Sequence, residues 1–306
     1  MFKNENVVVP EILPAYEDGI FKALLTHQEA RPVLRDVVES YLQLKISKVD
    51  VRNVELPVSN INEKRERFDV NCLLLDGTQA DIEMQADPMS GDSEINSHKV
   101  VKGRAIYHLC DLHSSQDGRS VRYDKLMRSF QLTLCGYNVF PDADKFIYRF
   151  SMRDEGGMEL SDAVGIIFID LTKLGDIVKK PVEGMTGDEI WSIFFTHAAE
   201  AKHAELIKRL SHVKREVKLA SDLLRDISKD ENERSRFRSR RMFELDMEHT
   251  RHVTRDDRSL EIAKKLIEMG MPVDNIVLAT GLKREELDAL HGAQQKTDKT
   301  AHKPAG

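Results

Sequence analysis

The segment Arg67-Phe68-Asp69-Val70-Asn71-Cys72-Leu73-Leu74-Leu75-Asp76-Gly77-Thr78-Gln79-Ala80-Asp81-Ile82-Glu83-Met84-Gln85 decides the architecture. Two alternating apolar and polar runs flank Asp76-Gly77, a turn-forming pair. In Arg67 to Leu75, residues Val70, Cys72 and Leu74 share one face, while Asp69, Asn71 and Leu73 share the other. In Thr78 to Gln85, residues Ala80, Ile82 and Met84 alternate with Asp81, Glu83 and Gln85. Side chains of a strand alternate between faces, so each run offers one apolar face for burial. Both apolar faces belong on one side of a hairpin, and a slip of one residue would invert them. A two-residue loop of Asp76-Gly77 pairs Asp69 with Met84. A three-residue loop, Leu75-Asp76-Gly77 with Gly77 left-handed, pairs Asp69 with Glu83, and this is the expected register.

Directly opposed strand residues hold their Cβ atoms about 4.5–5.5 Å apart, so Asp69 and Glu83 would share a small space. Two carboxylates that close repel unless a cation lies between them. Hard divalent ions such as magnesium take oxygen ligands and keep waters for a substrate phosphate. Gln85 follows on the same face, where its amide can orient a water or supply a carbonyl oxygen. Isolated strand carboxylates are more commonly solvated surface groups; it is the register that argues against that reading for this pair.

Outward from the hairpin, Phe21, Leu24 and Leu25 recur at helical spacing, as do Val33, Leu34, Val37, Val38, Tyr41 and Leu42. Lys48 to Leu56 reads as a strand. After the loop containing Pro88 and Gly91, residues Val100, Val101, Ile106 and Leu109 predict a helix, and a further helix is expected from Arg122 to Cys135. Lys145 to Met152 and Val164 to Leu171 read as strands, the second apolar on both faces and therefore central. Beyond Gly187 the chain turns helical, with Ile190, Trp191, Phe194 and Phe195 on one helix and charged helices to about Arg258. Short helices punctuated by Gly270, Pro272 and Gly281 span Leu260 to Leu290, and the polar tail from Gln294 to Gly306 is expected to be disordered. Strands mixed with helices in this order imply an α/β core with a helical C-terminal extension. The expected divisions are 1–186 for the core, 187–258 for a charged helical region, 259–292 for a small helical unit and 293–306 for the tail.

The 306 residues suffice for a sizeable core, with 41% hydrophobic and 32% charged residues, and no run approaches the length of a membrane span. No secretory signal is visible at the N-terminus, so a cytoplasmic location is the expectation. Cys72, Cys110 and Cys135 are three and widely spaced, which argues against a disulfide framework or a zinc knuckle. The net charge of −6 excludes a protein that coats nucleic acid by charge alone, so any contact with DNA must be local. Among the eleven histidines, His108 and His113, and likewise His249 and His252, lack an accompanying acid or cysteine at metal-ligand spacing, and surface or core roles are expected.

Arg67-Phe68-Asp69-Val70, a short hairpin and then Ile82-Glu83-Met84-Gln85 resemble the PD-(D/E)xK nuclease core, in which an acid on one strand and an acid-x-lysine on the next bind magnesium. More narrowly, the chain is similar to the PD-(D/E)xK family transposases, the recombination-promoting nuclease group. The similarity takes in Asp18 to Lys22, the strand ending Glu55-Leu56-Pro57, the basic approach Lys64-Arg65-Glu66-Arg67, and a following helix with Arg104 and Tyr107. It extends to the Trp191-x-x-Phe-Phe helix and the Ala263 to Leu282 unit, and so covers most of the chain. The resemblance implies a restriction-endonuclease-like α/β core, a mixed central sheet flanked by helices. It also implies a metal-dependent DNA endonuclease tied to recombination or transposition, using Mg²⁺, or Mn²⁺ in its place. Asp69 and Glu83 would hold the metal, with Gln85, Asp18 and Lys22 in catalysis and Glu55 as a further ligand. Arg67, Arg104, Arg236 and Arg240 would contact DNA. Gln85 stands where the wider family has lysine and delivers no positive charge, so charge stabilisation would pass to Lys22, Arg67 or the metal.

The alternative is a non-catalytic DNA-binding or interaction protein on a degenerate nuclease fold. Asp18 before a helix is also a natural N-cap, Glu55 before proline an edge residue, and Lys22 and Arg67 ordinary surface ion-pairing groups. Arg234, Arg236, Arg238, Arg240 and Arg241 would either lie along phosphates or pair with Glu231, Glu233 and Glu244. The helices around Gly281 are similar to a compact helix-turn-helix, a shape shared by simple packing caps. Cutting both strands of a duplex commonly takes paired active sites, which makes a homodimer compatible with this reading, although no residue argues for it.

Overall fold

The computed structural model describes residues 9–52, 70–86, 94–116, 122–285 and 287, with the side chains of 94–97, 244, 247–249, 251–257 and 268 left aside. Asp69, Arg67, Glu55 and the tail from Gln294 to Gly306 lie outside the described residues, as do the side chains of His249 and His252.

The hairpin forms as β2 (Val70–Leu74) and β3 (Gln79–Gln85), paired antiparallel with Val70 opposite Ile82, Asn71 opposite Asp81 and Cys72 opposite Ala80. This is the register of the three-residue loop. Gly77 takes φ +88°, and its N–H bonds the Leu74 carbonyl at 2.9 Å. With no Cβ, glycine enters this left-handed region without the steric penalty other residues meet. Val70, Cys72, Leu74, Ala80, Ile82 and Met84 are all buried in one core. The alternation of the sequence thus translated directly into a buried face.

The strand β1 (Val49–Val51) flanks β2, and the rest of the sheet comprises β4 (Ser129–Cys135), β5 (Ile147–Arg153) and β6 (Glu159–Asp170). The order is β1-β2-β3-β4-β6-β5, with β3, β4 and β6 parallel and the other pairs antiparallel. This is the mixed sheet of a restriction-endonuclease-like α/β fold. β6 lies between β4 and β5, as its two-sided apolar run predicts.

Arg122 to Cys135 corrects one expectation. The segment is a short 3-10 turn, Tyr123–Lys125, followed by β4, in the middle of the sheet. Leu126, Phe130 and Leu134 fall at helical spacing, yet Leu132 and Leu134 alternate with Gln131 and Thr133, and all four are buried. Short apolar runs fit both periods, and the parallel pairing with β3 selects the strand.

On the Ile82 side, the sheet is covered by α1 (Asp18–Thr26), α2 (Arg31–Leu42), α4 (Gly187–His197) and α6 (Arg215–Lys229). Trp191, Phe194 and Phe195 are completely buried there, and the Trp191 indole N–H donates to Asp36 Oδ2 at 2.7 Å. α5 (Ala204–Val213) contributes Ile207 and Leu210 to the same core. Met1–Arg238 forms one compact unit.

The other side of the sheet carries α3 (Glu94–Ser114), the connection between parallel β3 and β4. Its inward stripe is Val101, Ala105, His108 and Leu112, with Val100 and Ile106 facing solvent instead. The second unit is Ser239–Gly306. It holds most of α7 (Glu231–Glu268) and α8 (Val273–Thr280), the latter ending at Gly281 with φ +71°, around a small core of Ala263, Ile276, Leu282 and Leu287.

Candidate active site

β3 is buried on both faces, and only one of them is apolar. Asp81 and Glu83 are 0% and 1% exposed, and their parallel partners on β4, Gln131 and Thr133, are fully buried as well. Burying a carboxylate costs several kcal/mol unless it is paired and hydrogen-bonded, so a buried polar row in the middle of a sheet is not there for stability. α3 closes over this row. Arg104 and His108, four residues apart, occupy one stripe of the helix, and both reach Glu83.

His108 Nδ1 lies 2.7 Å from Glu83 Oε1 and 3.8 Å from Asp81 Oδ2. Arg104 donates from Nη2 to the same Glu83 oxygen at 3.2 Å. Ligand atoms of Asp81, Glu83 and His108 all fall within 4.8 Å of one another. Among the described residues, neither Asp81 oxygen has a hydrogen bond of ordinary geometry. Burial raises the Asp81 carboxyl, and the Glu83 charge adds to it; His108 and Gln131 oppose them, leaving the group at about 6. Burial lowers the His108 ring, but its contacts with Asp81 and Glu83 outweigh that and bring it up to about 10. At neutral pH the imidazolium therefore supplies the cation that two adjacent carboxylates need.

A divalent ion fits this donor set: two carboxylates on one strand face, one of them lacking good hydrogen bonds, beside an imidazole that must give up its proton to become a ligand. Hard ions use the oxygens alone, while manganese accepts oxygen and imidazole together.

The structure places the residues singled out from the sequence as follows. Glu83 and Gln85 share the α3 face of β3; Gln85 is half-buried at its end, where its carbonyl accepts the Gly136 N–H at 2.9 Å. Arg104 belongs to the site itself, 31% exposed against Glu83. Asp18 opens α1, with Glu17 in the cap position, and Lys22 follows one turn later, both half-buried on a helix whose apolar face packs against the Ile82 side. Arg236 is exposed and ion-paired to Glu233 at 2.5 Å, and Arg234 donates to the Pro10 and Ser228 carbonyls. Arg240 is exposed on α7. Cys72 and Cys135 are buried free thiols, as expected, and Cys110 is an exposed one.

Asp81 and His108 were not among the candidates. Asp81 was legible in principle, since it alternates in phase with Glu83. The expectation that His108 lacks an accompanying acid is corrected: its acids are on β3, the strand preceding α3, where local metal-ligand spacing does not look. Tyr137, packed in an apolar cluster with Val101 and Ala105 of α3, has a buried hydroxyl with no hydrogen-bond partner among the described residues, and burial pushes its pKa well up, with Cys135 adding and Arg104 opposing.

A mixed α/β sheet with a buried acid-x-Gln on β3 and a helix closing over it fits the restriction-endonuclease-like fold. The family model described as PD-(D/E)XK nuclease family transposase matches residues 15–253, and the chain belongs to that family. Comparison with curated proteins found no match, and comparison with solved structures found none either. Among the described residues, no helix is long and apolar enough to cross a membrane.

Proposed function

We propose that the protein is a metal-dependent DNA endonuclease that hydrolyses phosphodiester bonds at the β3–α3 centre. The observation that carries this reading is the convergence of Asp81, Glu83 and His108, buried together without a structural need. The register supports it further. Val70 stands opposite Ile82 and Asn71 opposite Asp81, the pairing that the three-residue loop predicts.

In this reading Asp69 and Glu83 hold a Mg²⁺ or Mn²⁺ ion, with Asp81 and His108 beside them. When bound, the ion would lower the pKa of a water and counter charge on the phosphate. Gln85 accepts a hydrogen bond from the attacking water and so orients it. The lysine charge that Gln85 lacks is supplied by Arg104, which is close enough to Glu83 to pair with it and exposed enough to meet a phosphate oxygen. Asp18 and Lys22, on α1, stay as catalytic residues on sequence grounds alone. Arg67 and Arg240 are left as phosphate contacts, and Glu55 as a further ligand, on sequence grounds alone.

One observation favours the non-catalytic alternative: Glu83 is 1% exposed and already paired to two cations of the chain itself. Plasmid cleavage decides between them. Supercoiled DNA with magnesium or manganese should be nicked or cut by the natural chain, but neither in chelator nor by Glu83→Gln or Asp69→Asn. Equal cleavage by Glu83→Gln would remove the centre described; no cleavage by any form under any metal would favour the binding protein.

A further inference from the structure

We infer that His197, Glu200 and His203 form a second metal site, on the opposite side of the sheet from the β3–α3 centre, that takes a borderline divalent ion of the zinc type. The three residues fall at intervals of three along the end of α4 and the 3-10 turn Ala201–His203. Their ligand atoms lie within 4.8 Å of one another. Glu200 Oε2 is the hub, 3.2 Å from His197 Nδ1 and 2.9 Å from His203 Nδ1, and the two imidazole rings face each other with centroids 4.1 Å apart.

The backbone holds this arrangement in advance. The Glu200 N–H bonds the His197 carbonyl at 3.0 Å, and the His203 N–H bonds the Glu200 carbonyl at 2.9 Å, so the ligand-bearing turn is closed without a metal. A second observation points to a ligand. His197 Nδ1 is buried and, among the described residues, has no hydrogen bond of good geometry, although the Glu200 carboxylate stands at 3.2 Å.

Two imidazole nitrogens and one carboxylate oxygen are the protein ligands of a three-residue zinc centre with an open fourth position. Imidazole-rich sets select zinc, cobalt or nickel over magnesium, which demands oxygen ligands. Lys202 Nζ, 3.1 Å from Glu200 Oε2, now occupies part of the charge the ion would meet. It is 72% exposed on a flexible stem and can swing into water when the ion enters. Bound there, the ion would clip the turn leading into α5 to the end of α4, a helix anchored by Trp191, Phe194 and Phe195.

The test uses the full chain free of any histidine tag, stripped with chelator and dialysed. Co²⁺ titration should develop the visible d–d bands of a low-coordinate nitrogen and oxygen site at one equivalent, and Zn²⁺ should displace them and raise Tm. The bands should persist in Glu83→Gln, which disables the β3–α3 centre, and their affinity should fall by about 10–100-fold or more in Glu200→Gln and in His203→Asn. Circular dichroism checks that each variant folds; should one fail, the other carries the comparison. Absence of bands in the natural chain, their loss in Glu83→Gln alone, or unchanged affinity in both Glu200→Gln and His203→Asn would overturn the inference.

Discussion

His108 Nδ1 stands 2.7 Å from Glu83 Oε1, joining α3 to the middle of the central sheet. Each group is buried, and each justifies the other: the carboxylate keeps the imidazole charged, and the imidazolium lets the carboxylates of Glu83 and Asp81 stay side by side. The chain thus carries its own substitute for a divalent ion at the point where one is proposed to bind.

That relationship sets a pH dependence for the metal-free protein. The His108 pKa rises from 6.5 to about 10 in the fold, so its stabilising contribution is full below about 6.5 and is lost as pH rises through about 10. Asp81, raised from 3.8 to about 6, acts in the same direction at lower pH, because the folded state again holds the proton more tightly. In chelator, Tm should decline from pH 7 to pH 10, and His108→Gln should flatten the decline. Imidazole NMR signals of His108 that titrate near the ordinary value would refute this.

Arg104 is expected to substitute for the missing lysine. Arg104→Gln should lower the rate of DNA cleavage by about 10–100-fold, as loss of a supporting group at a metal site does, and Arg104→Lys should recover part of it. Fluorescence anisotropy with a short duplex would separate binding from turnover, and an unchanged cleavage rate in Arg104→Gln would assign the charge to another residue.

Divalent ions should stabilise the fold. At about one hundred times its Kd, Mn²⁺ contributes roughly 2.7 kcal/mol, visible as a rise in Tm that Glu83→Gln removes. Differential scanning fluorimetry reads this directly. The outcome against the site is an identical rise in natural chain and variant.

Gly136 packs close to the end of β3. A Cβ there would stand 2.2 Å from the Ala86 carbonyl oxygen, a backbone atom that cannot swing aside. Gly136→Ala should therefore cost about 2 kcal/mol or more and disturb Gln85, whose carbonyl accepts the Gly136 N–H. Gly77→Ala should cost roughly 1–2 kcal/mol from its left-handed backbone, since the Met127 side chain it meets at 2.6 Å is flexible. Denaturant melts that rank Gly77→Ala above Gly136→Ala in cost would contradict the contacts.

Ile82 lies on the opposite face of the same strand, fully buried. Ile82→Ala should lower stability by about 2–5 kcal/mol, the range for a large-to-small change in a packed core. Urea unfolding followed by circular dichroism measures it, and a loss below about 1 kcal/mol would mean the core relaxes into the gap.

What the sequence determined by itself was whatever depends on neighbours in the chain. Alternation in Val70 to Leu74 and Ala80 to Met84, together with Gly77, specified the hairpin register, because a period of two and a left-handed turn are local properties. The same locality made α1, α2 and α4 legible from their apolar stripes, and the acid-x-Gln of β3 from its motif. Tertiary structure decided the rest. The segment Ser129 to Cys135 fits both helical and strand periods, and only pairing between β3 and β6 made it a strand. His108 and Arg104 became site residues because α3 folds back over the strand that precedes it, and His197 met His203 because a 3-10 turn follows α4. Periodicity tells which way a side chain points from its own element; it does not say which element lies opposite, and the chemistry here arises between elements.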